Sequence, residues 1–201
     1  MFDRQATQWI RPGVDWMARR LHAMGVGANI LTFTGFGIGV SAALLIVGRF
    51  FTLAVCAILL SRLLDALDGA VARLTTPTDR GGFLDITLDF LFYASIPLAF
   101  AVADPERNAL AAAGLLAAFI GTGSSFLAFA TIAAKRGMTS TAYPDKSFFF
   151  LGGVTEAGET LAFFVAMCLW PQQFALLGWT FCGLCVITIA MRIYWGWLAF
   201  K

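Results

Sequence analysis

The sequence has 201 residues, of which 59% are hydrophobic and only 13% are charged. Its mean hydropathy of +0.79 lies far outside the range of water-soluble globular domains. A formal charge of +2 without a basic tail gives no reason to expect a nucleic-acid partner. We therefore predict one all-α integral membrane domain over residues 1–201, because helices satisfy their own backbone hydrogen bonds inside lipid.

The predicted elements begin with a segment that is too polar to cross a bilayer, residues 1–22. Apolar side chains recur there near helical spacing with arginines between them, which predicts an amphipathic interfacial N-terminal helix. Six apolar runs follow, each near the length of about 20 residues that a transmembrane helix needs. The predicted spans cover residues 29–48, 50–73, 82–103, 108–134, 148–170 and 174–197.

Basic residues are distributed unequally between the two ends of these spans. With six spans, the N-terminal arm, the 74–81 loop, the 135–147 loop and the C-terminus share one side, and most Lys and Arg lie there. Only Arg49 and Arg107 lie on the other side. This asymmetry predicts a multi-pass protein of the inner (cytoplasmic) membrane with both termini in the cytoplasm.

Four aspartates interrupt the apolar sequence within 25 residues: Asp65, Asp68, Asp85 and Asp89. Each would cost roughly 2.5–3.5 kcal/mol at the bilayer centre, so a cation is needed to hold them together. The first two are spaced i, i+3 and the last two i, i+4, so each pair projects from one face of its own helix. Facing carboxylates without nearby His or Cys predict a site for Mg²⁺ or Mn²⁺.

Residues 65–89 also carry a recognisable signature. They read DALDGAVARLTTPTDRGGFLDITLD, or D-x2-D-G-x2-A-R-x7-G-x3-D-x3-D with Gly81 as the second glycine. This pattern resembles the signature of the CDP-alcohol phosphatidyltransferases, membrane enzymes with six transmembrane helices. The stretch from Gly27 to Thr32 is similar to the P-N-x-x-T segment that often opens their first span, with Ala28 in place of proline.

The resemblance implies a phospholipid-biosynthetic transferase. Such an enzyme moves a phosphatidyl (substituted phosphate) group from a CDP-linked donor, such as CDP-diacylglycerol or another CDP-alcohol, to an acceptor alcohol and releases CMP. The partners implied are the donor lipid, the alcohol, the bilayer and, as is frequent in the family, a second copy of the chain. Two Mg²⁺ or Mn²⁺ ions would be held by Asp65, Asp68, Asp85 and Asp89, with Asp89 also the general base. The residues that match the family's CDP-binding positions are Asn29, Thr32, Asp68, Gly69, Ala72, Arg73 and Gly81.

Other interpretations of the acidic cluster remain open at this point. Arg62 stands i, i+3 from Asp65 and could pair with it, but four acids exceed the nearby cations. A divalent-cation transporter would explain acids within spans, although not the D-G-x2-A-R spacing or Arg73. An inactive scaffold derived from an enzyme would not need all four aspartates.

The acceptor alcohol is the least constrained part of the prediction. Lys135, Arg136 and Lys146 flank the fifth span and could face an anionic acceptor such as glycerol 3-phosphate, as in phosphatidylglycerophosphate synthase, or could only set topology. Glu156 and Glu159 are spaced i, i+3 within the same span. Buried acids there need a partner, which could be Lys146 or a polyhydroxy or amino alcohol acceptor. Two acids fit poorly with a doubly anionic acceptor.

Overall fold

The structure is a computed structural model that describes residues 2–138 and 153–201, with side chains from residue 10 onward. The described residues are almost entirely helical and contain no β-strand, as the composition predicts. A short 3₁₀ turn, Pro171–Gln173, precedes the last helix. The α-helices are α1 (Phe2–Ala23), α2 (Ala28–Val47), α3 (Phe51–Leu74), α4 (Asp79–Ala103), α5 (Pro105–Lys135), α6 (Ala157–Leu169) and α7 (Phe174–Ala199).

Six of these helices close into a ring. Along the ring, α3 packs against α2, α2 against α4, α4 against α5, α5 against α7, α7 against α6, and α6 returns to α3. Their inward faces form one apolar cluster, in which Phe92, Phe164 and Phe181 are fully buried. The ring fixes the distance between α3 and α4, the two helices that carry the aspartates.

Helices α2, α4, α5 and the segment Pro171–Ala199 are long and apolar enough to cross a membrane. Their bounds agree with four of the six predicted spans to within a few residues. Helix α3 has 24 residues but contains the charged residues of the signature. Helix α6 has 13 residues and starts at Ala157, whereas the predicted span begins at residue 148; residues 148–152 lie outside the described part of the chain.

Helix α1 packs against the beginning of α2 and the end of α3. Its buried side chains, Val14 and Ala18, contact an apolar cluster that includes Leu31, Leu67 and Val71. Trp16, on another face of α1, is 56% exposed. The helix is therefore attached to the end of the ring where the signature helices meet.

Helices α2 and α3 approach closely because α2 presents glycine to α3. The Ser61 hydroxyl donates to the Gly35 carbonyl at 2.7 Å, and both residues are buried. A Cβ at Gly39 would lie 2.6 Å from the Phe92 ring and 2.9 Å from Ser61 Oγ. Small residues at these positions are what lets membrane helices pack without an aqueous hydrophobic effect.

We expect Gly39→Leu to destabilise the ring, because its side chain would overlap Phe92 and Ser61. Overpacking of this kind costs about 1–3 kcal/mol. Gly37→Leu is the matched control, since nothing lies within 4 Å of a Cβ built there. Thermal unfolding in detergent should show a lower midpoint for Gly39→Leu than for Gly37→Leu; equal midpoints would contradict this packing.

Candidate active site and metal centre

Three of the four signature aspartates converge between α3 and α4. One carboxylate oxygen from each of Asp65, Asp68 and Asp85 lies within 4.8 Å of the other two. Asp68 is 5% exposed, and its Oδ2 is buried without a hydrogen-bond partner. Negative charges this close repel each other in a low-dielectric setting, so the cluster requires a cation. The structure thus brings three of the four predicted ligands together, and their role as metal ligands stays a prediction.

Asp89 lies one helical turn beyond Asp85 and is bound by an arginine of α3. The Arg62 guanidinium donates from Nη1 to Asp89 Oδ1 at 2.6 Å, and the same Nη1 lies 3.6 Å from Asp65 Oδ1. The guanidinium also stacks over the Phe92 ring at 4.1 Å from its centroid. Arg62 thus contacts two of the four carboxylates and is held in place by an aromatic ring.

The residues that match the family's CDP-binding positions lie at the start of α2, the end of α3 and the start of α4. Thr32, at the start of α2, lies beside Asp68 and lines a small cavity with Asp65, Asp85 and Asp89. The Thr32 hydroxyl donates to the Ala28 carbonyl at 3.1 Å.

The beginning of α4 is shaped by Gly81. Its backbone N–H donates to Oγ1 of Thr78, the residue that caps α4, at 3.1 Å. A Cβ at Gly81 would lie 3.2 Å from that oxygen and 3.6 Å from the side-chain oxygen of Asn29. A side chain at this position would therefore crowd the Thr78 cap, whereas its contact with Asn29 would be ordinary.

Gly69, Ala72 and Arg73 line the last turns of α3. Ala72 is half-buried, and the Arg73 side chain is exposed. A Cβ at Gly69 would lie 3.4 Å from an Arg73 guanidinium nitrogen, so Arg73 lies across the glycine. This exposed guanidinium lies over Gly69, the residue that follows Asp68, and can bind a phosphate group as a charged fork.

A second, larger cavity of about 250 Å³ opens on the other side of α4. Asp85 and Asp89 line both this cavity and the small one beside the aspartate cluster. An alcohol in the larger cavity would therefore be adjacent to the cluster. The polar residues that line it are Asp85, Asp89, Tyr93, Thr122, Thr155, Glu156, Thr160, Cys185 and Arg192.

Among the described residues that line this larger cavity, Arg192 is the cation. This residue belongs to α7 and is 8% exposed, and its Nη1 donates to the Thr122 carbonyl at 2.8 Å. Its guanidinium lies 5.6 Å from the Phe126 ring centroid, while Nε is buried and has no hydrogen-bond partner. From the sequence, Arg192 was counted only among the basic residues that predict the orientation; the structure places its side chain inside the ring, beside the cavity.

Glu156 and Glu159 were predicted as acids inside a membrane span that begins at residue 148. The structure corrects this assignment, because α6 begins at Ala157 and the two glutamates form a reciprocal capping box at its first turn. Glu159 Oε2 accepts the Glu156 backbone N–H at 3.0 Å. Glu159 thus already has a partner within its own helix, whereas Glu156 also lines the larger cavity.

The segment before α6 is fixed to α7. Thr188 Oγ1 accepts the backbone N–H groups of Val154 and Thr155 at 3.2 and 3.0 Å. A Cβ at Gly153 would collide with Thr188, so only glycine permits this approach. The contact orients the start of α6 so that Glu156 faces the same cavity as Arg192.

The basic residues predicted for the acceptor are placed differently from Arg192. Lys135 is exposed in the last turn of α5, and the larger cavity is lined by neither Lys135 nor Arg136. Arg136 donates to the Phe200 carbonyl at 2.9 Å and lies 5.4 Å from the Phe200 ring centroid, so it ties the C-terminus to α5. Lys146 lies outside the described residues.

The donor set at the aspartate cluster fits a hard divalent cation. It consists of carboxylate oxygens from two helices, with one buried oxygen of Asp68 left without a hydrogen-bond donor. Mg²⁺ and Mn²⁺ favour such oxygen ligands. Asp65, Asp68 and Asp85 would hold an ion here, and Asp89 borders the same small cavity.

Two functional residues, Arg62 and Arg192, were not assigned by sequence reasoning. Each lies within a run long enough to span a bilayer, where an arginine is costly unless it has a partner or a task. This energetic cost was the feature of the sequence that could have indicated a role for the two arginines. The pairing of Arg62 with Asp65 was visible in the sequence, but the other partners, Asp89 and Thr122, lie 27 and 70 residues away along the chain.

We expect Arg62→Leu to destabilise the protein in the presence of a chelator, because Asp65 and Asp89 would lose their shared cation. Removing one partner of a fully buried ion pair costs about 3–5 kcal/mol, and we expect a smaller loss here because the Asp89 and Asp65 side chains are 28% and 33% exposed. Arg62→Lys should retain most of the stability, and Arg62→Leu combined with Asp89→Leu should recover part of the loss. Thermal unfolding in detergent measures all three; an Arg62→Leu midpoint equal to that of the wild type would contradict the pairing.

Comparison with known proteins identifies the family. Residues 26–194 match the family model of the CDP-alcohol phosphatidyltransferases. The inner membrane protein YnjF of Escherichia coli (strain K12) is 49% identical over 201 residues, which cover 100% of this chain and 98% of that protein. Archaetidylinositol phosphate synthase of Pyrococcus horikoshii is 39% identical over 92 residues, or 43% of this chain and 49% of the synthase.

Solved structures share the fold. Phosphatidylinositol phosphate synthase of Mycobacterium tuberculosis with CDP-DAG bound gives a TM-score of 0.68 at 22% identity, covering 92% of this chain and 93% of that one. The same synthase in complex with manganese and citrate gives 0.71 at 22% identity, covering 92% and 88%. The apolar helices and the inner-membrane relative make this chain a multi-pass membrane protein. It belongs to the CDP-alcohol phosphatidyltransferase family, as its signature predicts, and the predicted transfer of a phosphatidyl group from a CDP-linked lipid is the activity class of that family.

Proposed function

We propose that the aspartate cluster between α3 and α4 binds the diphosphate of a CDP-linked lipid and that the larger cavity receives the acceptor alcohol. The observation that carries this proposal is the convergence of three carboxylate oxygens within 4.8 Å at the junction of the two cavities. A diphosphate is itself anionic, so it can approach these acids only with cations between them.

Two Mg²⁺ or Mn²⁺ ions would be held by Asp65, Asp68, Asp85 and Asp89. When bound, they would neutralise the diphosphate and stabilise the charge on the departing CMP. The proposal of two ions is supported by the number of carboxylates: Asp65, Asp85 and Asp89 line the small cavity, and a carboxylate oxygen of Asp68 lies within 4.8 Å of those of Asp65 and Asp85. On the open side, Arg73, Gly69 and Ala72 would face the nucleotide end of the donor, together with Asn29, Thr32 and Gly81.

Asp89 is the proposed general base, because it borders both cavities. The acceptor hydroxyl would transfer its proton to the Asp89 carboxylate as its oxygen bonds to the β-phosphorus of the donor. The bond between that phosphorus and the bridging oxygen breaks at the same time, and CMP leaves with the bonding electrons. Arg62 would hold the Asp89 carboxylate in position, since its guanidinium is fixed over Phe92.

The acceptor would occupy the larger cavity beside Asp85 and Asp89. Of the acceptor residues predicted from sequence, Glu156 has the geometric support, and Arg192 joins it. Lys135, Arg136 and Lys146 remain predictions that the geometry does not favour over a role in topology, and Glu159 is better explained as the capping partner of Glu156.

The membrane arrangement is also a proposal: six spans, α1 at the interface, and both termini in the cytoplasm. It is supported by contacts at the two ends of the ring. Arg136 donates to carbonyls of the C-terminal residues, so this basic residue and the C-terminal residues lie at one end of the ring. Arg49 donates to the Ala103 carbonyl at the other end. The aspartates would then be open to soluble CMP on the cytoplasmic side. A homodimer remains a prediction from the family.

The test supplies purified protein with Mn²⁺, CDP-diacylglycerol and a panel of alcohols, and measures CMP release and the mass of the lipid product. We expect metal-dependent turnover that falls at least about 100-fold in Asp68→Asn, with weaker Mn²⁺ binding, because that residue supplies the buried oxygen.

Asp79→Asn is the matched control for this substitution. Asp79 is an exposed carboxylate in the first turn of α4, and it is not part of the cluster. Its replacement should leave turnover and Mn²⁺ binding close to wild type. Cation flux in liposomes without CMP release would contradict the proposed function.

A further inference from the structure

We propose that the acceptor alcohol carries no net charge, and that Glu156 is the residue that excludes phosphorylated alcohols. This inference rests on the proposed function, because it assigns the chemistry of the acceptor that the larger cavity would hold. Such a cavity would differ from one that binds glycerol 3-phosphate, the acceptor considered in the sequence analysis.

The first observation is the charge balance of the cavity. Among the described residues that line it, the charged groups are Asp85, Asp89, Glu156 and Arg192. Asp85 belongs to the aspartate cluster and Asp89 is bound by Arg62, so neither can serve a substituent at the far end of the acceptor. Glu156 and Arg192 remain, and their charges cancel. Within this described lining, a phosphate dianion would meet no surplus of positive charge.

The second observation is that Arg192 is already partly engaged. Its Nη1 donates to the Thr122 carbonyl at 2.8 Å, and Glu156 lines the same cavity. Its Nε is buried and has no hydrogen-bond partner. One guanidinium whose charge is offset by the Glu156 carboxylate suits a hydroxyl or a carboxylate, whereas a phosphate dianion would need further cationic donors to replace its water.

The third observation concerns the start of α6. A helix N-terminus facing a cavity is a natural phosphate site, because its free N–H groups and its dipole attract anions. Here Glu156 and Glu159 supply both anions of a capping box, so the chain occupies that position itself. The Glu156 carboxylate is also anchored by the Gly153 backbone N–H at 3.4 Å. A phosphate would therefore meet a fixed carboxylate in place of free amides.

The remaining lining suits hydroxyl groups. Thr122, Thr155 and Thr160 place hydroxyls around the cavity, and Tyr93 adds a phenol. These groups both donate and accept hydrogen bonds, as polyhydroxy alcohols do. A zwitterionic amino alcohol also carries no net charge, with its ammonium toward Glu156 and its carboxylate toward Arg192, so the experiment includes both kinds of acceptor.

The experiment measures kcat/KM for matched acceptors with Mn²⁺ and CDP-diacylglycerol: glycerol against glycerol 3-phosphate, inositol against inositol phosphate, and serine. We expect the best acceptor without net charge to exceed the best phosphorylated one by at least about 10-fold, the effect of one unfavourable charge contact. Glu156→Gln should reduce that ratio by roughly the same factor, since it removes the repelling charge but retains a capping group.

Glu159→Gln is the matched control, because it makes the same chemical change in the same capping box but outside the cavity lining. It should leave the ratio unchanged. A wild-type preference for phosphorylated acceptors, or an equal ratio in Glu156→Gln and wild type, would overturn the inference while leaving the transferase standing. Failure of every acceptor to release CMP would instead overturn the proposed function.

Discussion

The repulsion among the signature carboxylates is the constraint on which the rest of the structure depends. One carboxylate oxygen from each of Asp65, Asp68 and Asp85 lies within 4.8 Å of the other two. The three charged groups would have a lower free energy if they were separated and surrounded by water. The helix ring supplies the force that holds them, because α2 packs on both α3 and α4 and prevents them from separating. The repulsion among these carboxylates is relieved when divalent cations bind between them together with the substrate.

Two buried arginines divide this site into two sides. Arg62 lies on the α3 side, where it binds Asp89 over the ring of Phe92. Arg192 lies on α7, where it binds the Thr122 carbonyl beside Glu156. The wall between them is the face of α4 that carries Asp85 and Asp89. A reaction between a donor on one side and an acceptor on the other must take place at that face. The carboxylates on this face are therefore placed to accept a proton.

The signature could be predicted from the sequence because its spacing is local. Asp65 and Asp68 share a helix face whatever surrounds them, and the same holds for Asp85 and Asp89. Glu156 and Glu159 were misplaced because hydropathy alone does not locate the start of α6, which follows the contact of the Gly153–Thr155 segment with Thr188. Arg192 was missed for a similar reason: its partner Thr122 belongs to another helix of the ring.

The most direct test of the central claim is a crystal or cryo-cooled complex soaked with Mn²⁺ and measured for anomalous scattering. The account predicts a manganese peak between α3 and α4, within bonding distance of carboxylate oxygens of Asp65, Asp68 and Asp85, at roughly 2.0–2.2 Å as expected for small divalent ions on oxygen. An absence of manganese there under conditions of full turnover, or these three side chains pointing away from one another, would contradict it.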